Sequence, residues 1–401
     1  MKSEVVNGSI CVVNSIKASA AYSGLTKKEF DVGLIYSERP TVSAAGFTQN
    51  SVKAAPVIYD INLMKKIPDL RAVIVNSGNA NACNSNGKEA LESVVLNLSQ
   101  TLGVDREQVF VASTGVIGED LDYEKINSVM GELKNGLSKE GCSKFARAIL
   151  TTDTFEKEYA LKCSFYGTEF NIGGVAKGAG MIHPNMATML AFITTDINIS
   201  HKMLDRALRE AVDKSFNRIS VDGDMSTNDT VLVMSTCEAK NERIDNENEI
   251  YRFFVDQLVH LCTHLAKLIV KDGEGATKLV EVVVVGASSK EDAELIARSV
   301  ANSLLVKTAI FGADPNWGRI VAALGYSKAY FSLSRLKVYI GDELVFAGGE
   351  RASYNKEALL KYMENEEIKI LIDLGIGVCT YNMWFSDISY DYIKINAEYH
   401  T

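Results

Sequence analysis

The chain of 401 residues alternates short apolar runs of strand length with longer segments whose apolar residues recur at helical spacing. The strand-like runs are at residues 71–80, 109–118, 189–196 and 230–236, and the helical segments are at 86–103, after Ser200 and at 248–270. A strand, a helix, a strand, a hairpin, a helix and a strand follow from residue 279. This pattern predicts an α+β (mixed α/β) fold in which β-sheets are covered by helices.

The clearest break in composition is "KDGEGATK" at 271–278. A polar segment rich in glycine between two periodic regions is typical of a domain boundary. We therefore expect a boundary near 271–280 and a smaller C-terminal α/β domain over 279–401.

Composition excludes several classes of function. The net charge is −9 and no Lys/Arg stripe with interleaved aromatics occurs, so a nucleic-acid partner is not expected. No apolar run reaches spanning length and the first residues lack an uninterrupted apolar region, so neither a membrane partner nor a secretory signal is expected. Seven cysteines without a C-x-x-C pair favour a reducing cytoplasm over a disulfide framework or a zinc site.

The stretch "KGAGMIHPNMATMLAFITTD" (177–196) places glycines and a proline directly before a strand-like run. The preceding "GGVAKGAG" lacks the Lys-Ser/Thr pair of a phosphate loop, so no nucleotide cofactor is indicated. If the Ala187–Thr188 bond were cut, the Thr188 hydroxyl would lie beside a free α-amine whose ordinary pKa is about 7.7–8.0. Such a pair is a known activated nucleophile. On the residues alone, however, a Thr that opens a strand is more often simply a β-former.

Several further segments, taken in order, strengthen the nucleophile hypothesis. They are "AAGFTQNSVKAAPV" (44–57), "VNSGNANACNSNG" (75–87), "VASTGVIG" (111–118), "ILTTDTFEK" (149–157), "SFNRISVDGDMSTNDT" (215–230), "FGADPNWGRI" (311–320) and "DYIKINAEYHT" (391–401). Together with 177–196 they resemble the ornithine acetyltransferase family, the ArgJ family of arginine biosynthesis. The resemblance implies self-cleavage at the Ala-Thr bond, an acetyl group carried on the exposed Thr, and a fold like that of self-processing amidases and aminopeptidases, with sheets sandwiched between helices.

The resemblance also implies the roles of individual residues. Thr188 is the nucleophile of both cleavage and transfer, Ala187 becomes the end of an alpha chain 1–187, and a beta chain 188–401 begins at Thr188. The implied oxyanion hole and substrate contacts are Thr114, Gly115, Thr152, Lys177, Glu274, Asn396 and Thr401. Thr154 remains an alternative to Thr152, since we expect both on the same face of a strand. Asp222, Asp224 and Asp229 do not have calcium-loop spacing, and we interpret them as turn and capping residues.

The implied reaction is a ping-pong acetyl transfer from N2-acetylornithine to glutamate, with acetyl-coenzyme A as a possible second donor and no metal or bound cofactor. The implied assembly is a heterotetramer of two alpha and two beta chains in the cytoplasm. Two other hypotheses stay open on the sequence. One is a self-processed aminopeptidase or amidase in which water is the acceptor, and the other is an unprocessed binding protein.

Overall fold

The alternating pattern forms the predicted elements in the computed structural model, which describes residues 1–183 and 189–398. The described strands are β1 (Lys2–Val5), β2 (Ile16–Ala21), β3 (Val32–Ser37), β4 (Val42–Phe47), β5 (Ala72–Asn76), β6 (Val109–Ser113), β7 (Lys157–Phe165), β8 (Thr168–Lys177), β9 (Leu190–Thr195), β10 (Ile219–Ser220), β11 (Thr230–Ser235), β12 (Leu279–Ala287), β13 (Lys337–Ile340), β14 (Glu343–Ala347), β15 (Glu350–Arg351), β16 (Glu367–Asp373) and β17 (Cys379–Ser386). The described α-helices are α1 (Ala55–Met64), α2 (Gly87–Leu102), α3 (Tyr123–Ser128), α4 (Met130–Asn135), α5 (Gly141–Ala148), α6 (His201–Lys214), α7 (Glu249–Lys271), α8 (Lys290–Ala301), α9 (Leu304–Phe311), α10 (Trp317–Gly325), α11 (Lys356–Met363) and α12 (Tyr390–Glu398).

The described strands form three sheets. A six-stranded sheet has the order β1-β7-β8-β9-β11-β4, and a four-stranded sheet has the order β2-β3-β5-β6. A seven-stranded sheet has the order β10-β17-β12-β16-β13-β14-β15. The strand and helix segments that the sequence predicted between residues 71 and 270 are β5, α2, β6, β9, α6, β11 and α7.

The six-stranded and four-stranded sheets pack face to face because successive side chains of their central strands point to opposite faces and both faces are apolar. In β9, Leu190 and Phe192 join the cluster between the two sheets, which also holds Val73 and Val75 of β5. Ala191 and Ile193 of β9 belong instead to the cluster beneath α6 and α7.

The outer face of the four-stranded sheet is covered by α2, α3 and α4. There Ala72 and Ile74 of β5 pack with Val94 and Leu98 of α2. The result is a four-layer arrangement of helix, sheet, sheet and helix, so the predicted sandwich of sheets covered by helices is confirmed.

The longest helix, α7, closes the core on the side of the six-stranded sheet. It begins where the Asn248 side chain accepts a hydrogen bond from the Tyr251 backbone N–H. Within the described residues, α7 is the one helix long and apolar enough to match a membrane span by composition, and more than half of that window is buried in the structure. Its apolar side chains contact β7, β8 and α6, as those of a core helix do.

The seven-stranded sheet forms a separate cluster with α8, α10 and α11. Its central strand β12 runs parallel to β16 and antiparallel to β17. β10, which precedes residue 279, adds a short parallel pairing to β17. This C-terminal sheet is therefore completed by a strand from outside the range 279–401.

One cysteine pair differs from the sequence prediction, because Cys11 and Cys142 form a disulfide. They are 131 residues apart in the chain, so their spacing gave no sign of the pairing. Cys11 lies in the turn before β2, and Cys142 lies in α5, which packs on β2. The other cysteines are free, so this single bridge is not a disulfide framework.

The buried carboxyl of Asp60 in α1 predicts a pH dependence of stability. Its Oδ1 accepts the Val111 backbone N–H at 3.3 Å, its Oδ2 has no partner among the described residues, and burial raises its pKa well above the ordinary value. Below the pKa of the unfolded state, the carboxyl is protonated in both states and does not oppose folding. As pH rises from there through the folded-state pKa, ionisation favours the unfolded state, so the free energy of unfolding falls. We expect Asp60→Asn to gain stability relative to the parent in urea unfolding as the pH is raised above the ordinary carboxyl pKa of about 3.9. The exposed Asp69→Asn is the control, and an Asp60→Asn difference that does not change with pH would contradict the prediction.

Candidate active site

A cavity of about 360 Å³ collects the predicted site residues that the structure describes. Those that line it are Thr114, Gly115, Thr152, Lys177, Glu274 and Asn396. Ala187, Thr188 and Thr401 lie outside the described residues. Met181, just before the undescribed segment 184–188, also lines the cavity. The cavity therefore lies beside the chain that leads into the predicted cleavage site.

The turn that follows β6 presents two different hydrogen-bond donors. The Thr114 backbone N–H donates to the Asn76 carbonyl at 3.0 Å, so only the Thr114 hydroxyl is left to act on a substrate. The Gly115 N–H donates to no described residue. The φ of Gly115 is 133°, and a Cβ there would lie 2.3 Å from the Gly78 carbonyl carbon, so glycine alone fits this turn. The donors that this turn leaves free are therefore one hydroxyl, of Thr114, and one backbone N–H, of Gly115.

Lys177, the last residue of β8, holds a buried ammonium group at the cavity floor. The residue is only 4% exposed. Its Nζ donates to Thr151 Oγ1 at 2.7 Å and to Thr114 Oγ1 at 3.3 Å, and lies 3.7 Å from Asp153 Oδ2. Burial lowers the pKa of Lys177, and the Asp153 carboxylate acts in the opposite direction. The bond to Thr114 leaves the hydroxyl proton of Thr114 free to point elsewhere.

A second buried lysine completes a charged network under the floor. Lys157, with a side chain that is 0% exposed, lies 2.8 Å from Asp153 Oδ1 and 2.5 Å from Asp272 Oδ2. Burial alone raises the pKa of the Asp153 carboxyl, but Lys177 and Lys157 together hold that pKa well below its usual range. Asp153 Oδ1 also accepts the Gly178 N–H at 2.6 Å. Asp153 therefore fixes the backbone that follows Lys177 as well as its ammonium group.

Glu274 brings a carboxylate to the same cavity from the loop between α7 and β12. Its N–H donates to the Ala179 carbonyl at 3.0 Å, and the Asn396 Nδ2 of α12 donates to its Oε2 at 2.8 Å. A Cβ on Gly180 would lie 2.5 Å from the Glu274 carboxyl, so glycine leaves the space in which this side chain lies. Glu274 also raises the pKa of Lys177, which places the two charges within electrostatic reach of each other.

The two threonines that the sequence left open have different surroundings. Thr152 lines the cavity, whereas the Thr154 hydroxyl and N–H both donate to the Asp272 carboxylate. Neither lies in a strand, since β7 begins at Lys157. The geometry favours Thr152 as the residue that reaches a ligand.

Sequence reasoning missed the supporting residues of this site. They are Thr151, Asp153, Lys157 and Asp272. The only sequence signal was an Asp and a Lys four residues apart in "ILTTDTFEK" (149–157), next to an apolar strand. Asp272 is 119 positions later than Asp153 in the numbering, and no spacing rule connects them.

The site combines two hydrogen-bond donors for a developing oxyanion with one buried cation and one carboxylate for a charged substrate. The described part of the chain contains no group of three or more His, Cys, Asp or Glu side chains placed to hold a metal ion. The arrangement suits acyl transfer to or from a small zwitterionic molecule.

The buried network predicts that Lys157→Met is strongly destabilising. Removing Lys157 leaves the buried Asp272 carboxylate without its cation and Asp153 with Lys177 alone, and breaking a buried pair in this way typically costs about 3–5 kcal/mol. Lys162→Met on the same strand is the matched control. Lys162 forms an exposed ion pair with Glu169 at 3.1 Å, and such pairs contribute about 0–1 kcal/mol. Urea unfolding of both variants tests this, and equal midpoints would show that the network does not carry the expected stability.

Comparison with known proteins identifies a family for the whole chain. The sequence profile of the ArgJ family matches residues 17–401. The arginine biosynthesis bifunctional protein ArgJ of Caldanaerobacter subterraneus subsp. tengcongensis is 43% identical over 99% of this chain and 100% of its own length. The protein of the same name from Bacillus subtilis is 44% identical over 99% of this chain and 97% of its own.

A solved structure supports the same assignment. The arginine biosynthesis bifunctional protein argJ of Bacillus halodurans is 42% identical, covers 51% of this chain and 97% of its own, and superposes with a TM-score of 0.50. The profile match and the full-length identities confirm the family that the sequence motifs resemble. The chain belongs to the ArgJ family.

Proposed function

We propose that the chain is a glutamate N-acetyltransferase, an acyltransferase that moves an acetyl group from N2-acetyl-L-ornithine to L-glutamate in the cyclic pathway of arginine biosynthesis. The observation that carries this proposal is the cavity in which the buried Lys177 ammonium, the Glu274 carboxylate and the donors of Thr114 and Gly115 meet, which Met181 also lines. The full-length relatives named for arginine biosynthesis support the pathway.

The first step is self-cleavage at Ala187–Thr188. The Thr188 hydroxyl attacks the Ala187 carbonyl, an ester forms on Thr188 Oγ, and the peptide nitrogen takes the hydroxyl proton and leaves as the free α-amine. Water then hydrolyses the ester, which frees the Ala187 carboxylate and the Thr188 hydroxyl. The products are the chains 1–187 and 188–401.

The sheet pairings explain how the two chains stay together after cleavage. β8 of the first chain pairs with β9 of the second, in a register that joins Lys177 to Leu190. β4 of the first chain pairs with β11 of the second. Two adjacent strands of the second chain, β9 and β11, lie between strands of the first, so separating the chains would break the six-stranded sheet. The solved Bacillus halodurans chain covers about half of this chain, as one cleavage product would.

Acetyl transfer uses the same nucleophile twice. The free α-amine of Thr188 accepts the hydroxyl proton as Oγ attacks the acetyl carbonyl of acetylornithine, and that proton passes to the nitrogen of departing ornithine. The Thr114 hydroxyl and the Gly115 N–H stabilise the oxyanion of the tetrahedral intermediate. The amine of glutamate then attacks the acetyl ester, which releases N-acetylglutamate and restores Thr188.

The charges of the cavity select the substrate. Lys177 binds the α-carboxylate, and Glu274, held by Asn396, binds the side-chain ammonium of ornithine. Thr152 and the terminal Thr401 add polar contacts. The word "bifunctional" in the names of the relatives supports acetyl-coenzyme A as a second acetyl donor, which makes glutamate its acceptor as well.

The remaining features of the proposal are the oligomeric assembly, the cellular location and the domain division. We propose a heterotetramer of two alpha and two beta chains, located in the cytoplasm, and a domain division near 271–280 within the beta chain. The core clusters support this boundary, since α7 packs in one cluster and β12 belongs to another from Val280 onward, with only its first residue, Leu279, packing in the cluster of α7.

The proposed self-cleavage predicts that the chain is found as two fragments, and that their formation depends on the Thr188 hydroxyl. We expect the parent chain to give two fragments in intact-mass spectrometry, and Thr188→Ala to remain a single chain without transferase activity. Thr188→Ser keeps a hydroxyl and should still be cleaved. A single uncut parent chain, or cleavage of Thr188→Ala at Ala187, would refute the mechanism.

The acceptor distinguishes the transferase from an amidase. Purified enzyme with acetylornithine should form N-acetylglutamate when glutamate is present, with little free acetate. Dominant hydrolysis to acetate would favour the aminopeptidase or amidase hypothesis. Replacing acetylornithine by acetyl-coenzyme A in the same assay tests the second activity.

Glu274→Gln should weaken binding of acetylornithine. A hydrogen bond to a charged group contributes about 1.5–3 kcal/mol, so KM is expected to rise about tenfold to a hundredfold, since the neutral amide no longer attracts the ammonium group. Steady-state kinetics measure this, with the exposed Asp391→Asn of α12 as the control. An unchanged KM in Glu274→Gln would remove Glu274 from the substrate contacts.

A further inference from the structure

The residues 221–229, here called the aspartate loop, hold the chain just before the undescribed segment 184–188. Asp222 Oδ2 accepts the Met181 N–H at 2.6 Å, and its Oδ1 accepts the Ile182 N–H at 2.9 Å. The Val221 N–H donates to the Ile182 carbonyl at 2.9 Å. Three hydrogen bonds thus fix the backbone on the N-terminal side of the proposed cleavage site.

The other end of the aspartate loop holds the chain just after the same segment. Asp229 Oδ1 accepts the Met189 N–H at 3.2 Å, and the adjoining Thr230 N–H donates to the Met189 carbonyl at 3.0 Å. Asp229 is 1% exposed, and its Oδ2 has no partner among the described residues. Met189 directly follows Thr188, so Asp229 fixes the backbone on the C-terminal side of the proposed cleavage site.

A third contact links the aspartate loop to the turn after β6 that carries Thr114 and Gly115, here called the oxyanion turn. The buried Asn228 amide donates to the Ala80 carbonyl at 2.6 Å and to the Ser113 carbonyl at 2.8 Å. Ser113 immediately precedes Thr114 and Gly115. One loop therefore holds both sides of the cleavage site and the backbone that presents the oxyanion donors.

The placement of these carboxyls is costly for folding, which argues for a role beyond stability. Burial raises the pKa of both Asp222 and Asp229, because each carboxylate loses solvent. Met181 has a left-handed φ of 56°, which a Met side chain rarely adopts. Such a conformation persists only where its surroundings hold it, and Asp222 binds the N–H of that residue.

We propose that Asp222 and Asp229 are positioning residues for self-cleavage, which hold the backbone on the two sides of the Ala187–Thr188 bond against the oxyanion turn. This inference rests on the proposed self-cleavage. Each aspartate acts as a hydrogen-bond acceptor for a backbone N–H and exchanges no proton with the reacting groups. Substitution by Asn keeps an acceptor oxygen and substitution by Ala removes it, so the two variants separate this role from general stability.

The test follows cleavage of the full-length chain made in a cell-free synthesis reaction. Samples taken over time are resolved into the intact chain and the fragments 1–187 and 188–401, and thermal unfolding of each purified variant is recorded. We expect Asp222→Ala and Asp229→Ala to be cleaved at least tenfold more slowly than the parent. Asp222→Asn and Asp229→Asn should stay within about threefold, and the exposed Asp224→Asn of the same loop should match the parent.

The outcomes separate this proposal from the proposed function. If the parent chain is not cleaved, the proposed function fails. If the parent is cleaved and both folded Ala variants are cleaved at the parent rate, only the positioning role is overturned. A folded Asp229→Asn as slow as Asp229→Ala also overturns it, because an acceptor oxygen would then not suffice. If an Ala variant does not fold, the Asn variant of the same residue is used in its place. Cleavage of that Asn variant within threefold of the parent rate supports the positioning role, and slower cleavage overturns it.

Discussion

The site depends on the pairing of buried charges beneath its floor. Lys157 has no exposed side-chain surface, and it lies between Asp153 and Asp272, with Lys177 on the far side of Asp153. A buried charge is tolerated only when it is paired and hydrogen-bonded, so each of these groups requires the others. The pairing joins the start of β7, the end of β8 and the end of α7 at one point. That point is the floor of the cavity, and Lys177 reaches the cavity because Asp153 holds it there.

The two facing sheets bring the remaining parts of the site to the same place. The turn after β6 comes from the four-stranded sheet, whereas Lys177 and Met189 come from neighbouring strands of the six-stranded sheet. The apolar cluster between the sheets fixes their separation, because it excludes water and packs side chains from both. The residues that line the cavity are thereby drawn from two sheets and held on a rigid scaffold. The aspartate loop leads into β11 of the six-stranded sheet and contacts Ser113 of the four-stranded sheet, so it touches both.

Much of this arrangement could be predicted, and the failures have a common cause. The strands, the helices and sheets covered by helices followed from apolar periodicity, whereas the family and its sandwich of sheets followed from the motifs. The sequence did not indicate that the Thr114 N–H is already bonded to Asn76, or that Thr154 faces Asp272 and not the cavity. It also suggested only turn and capping roles for Asp222 and Asp229. Each of these facts depends on a contact between residues far apart in the chain, which local patterns do not encode.

The sequence by itself determined the elements, the class of fold and the family, because apolar spacing and motif order are properties of short segments. It also determined the candidate bond, Ala187–Thr188, through the motif that surrounds it. Only the tertiary structure decided which donors remain free at the turn after β6, which carboxylate pairs with Lys177, and how the chain on the two sides of residues 184–188 is held. Those outcomes depend on burial, which decides whether a polar group must find a partner, and burial exists only once the sheets have packed.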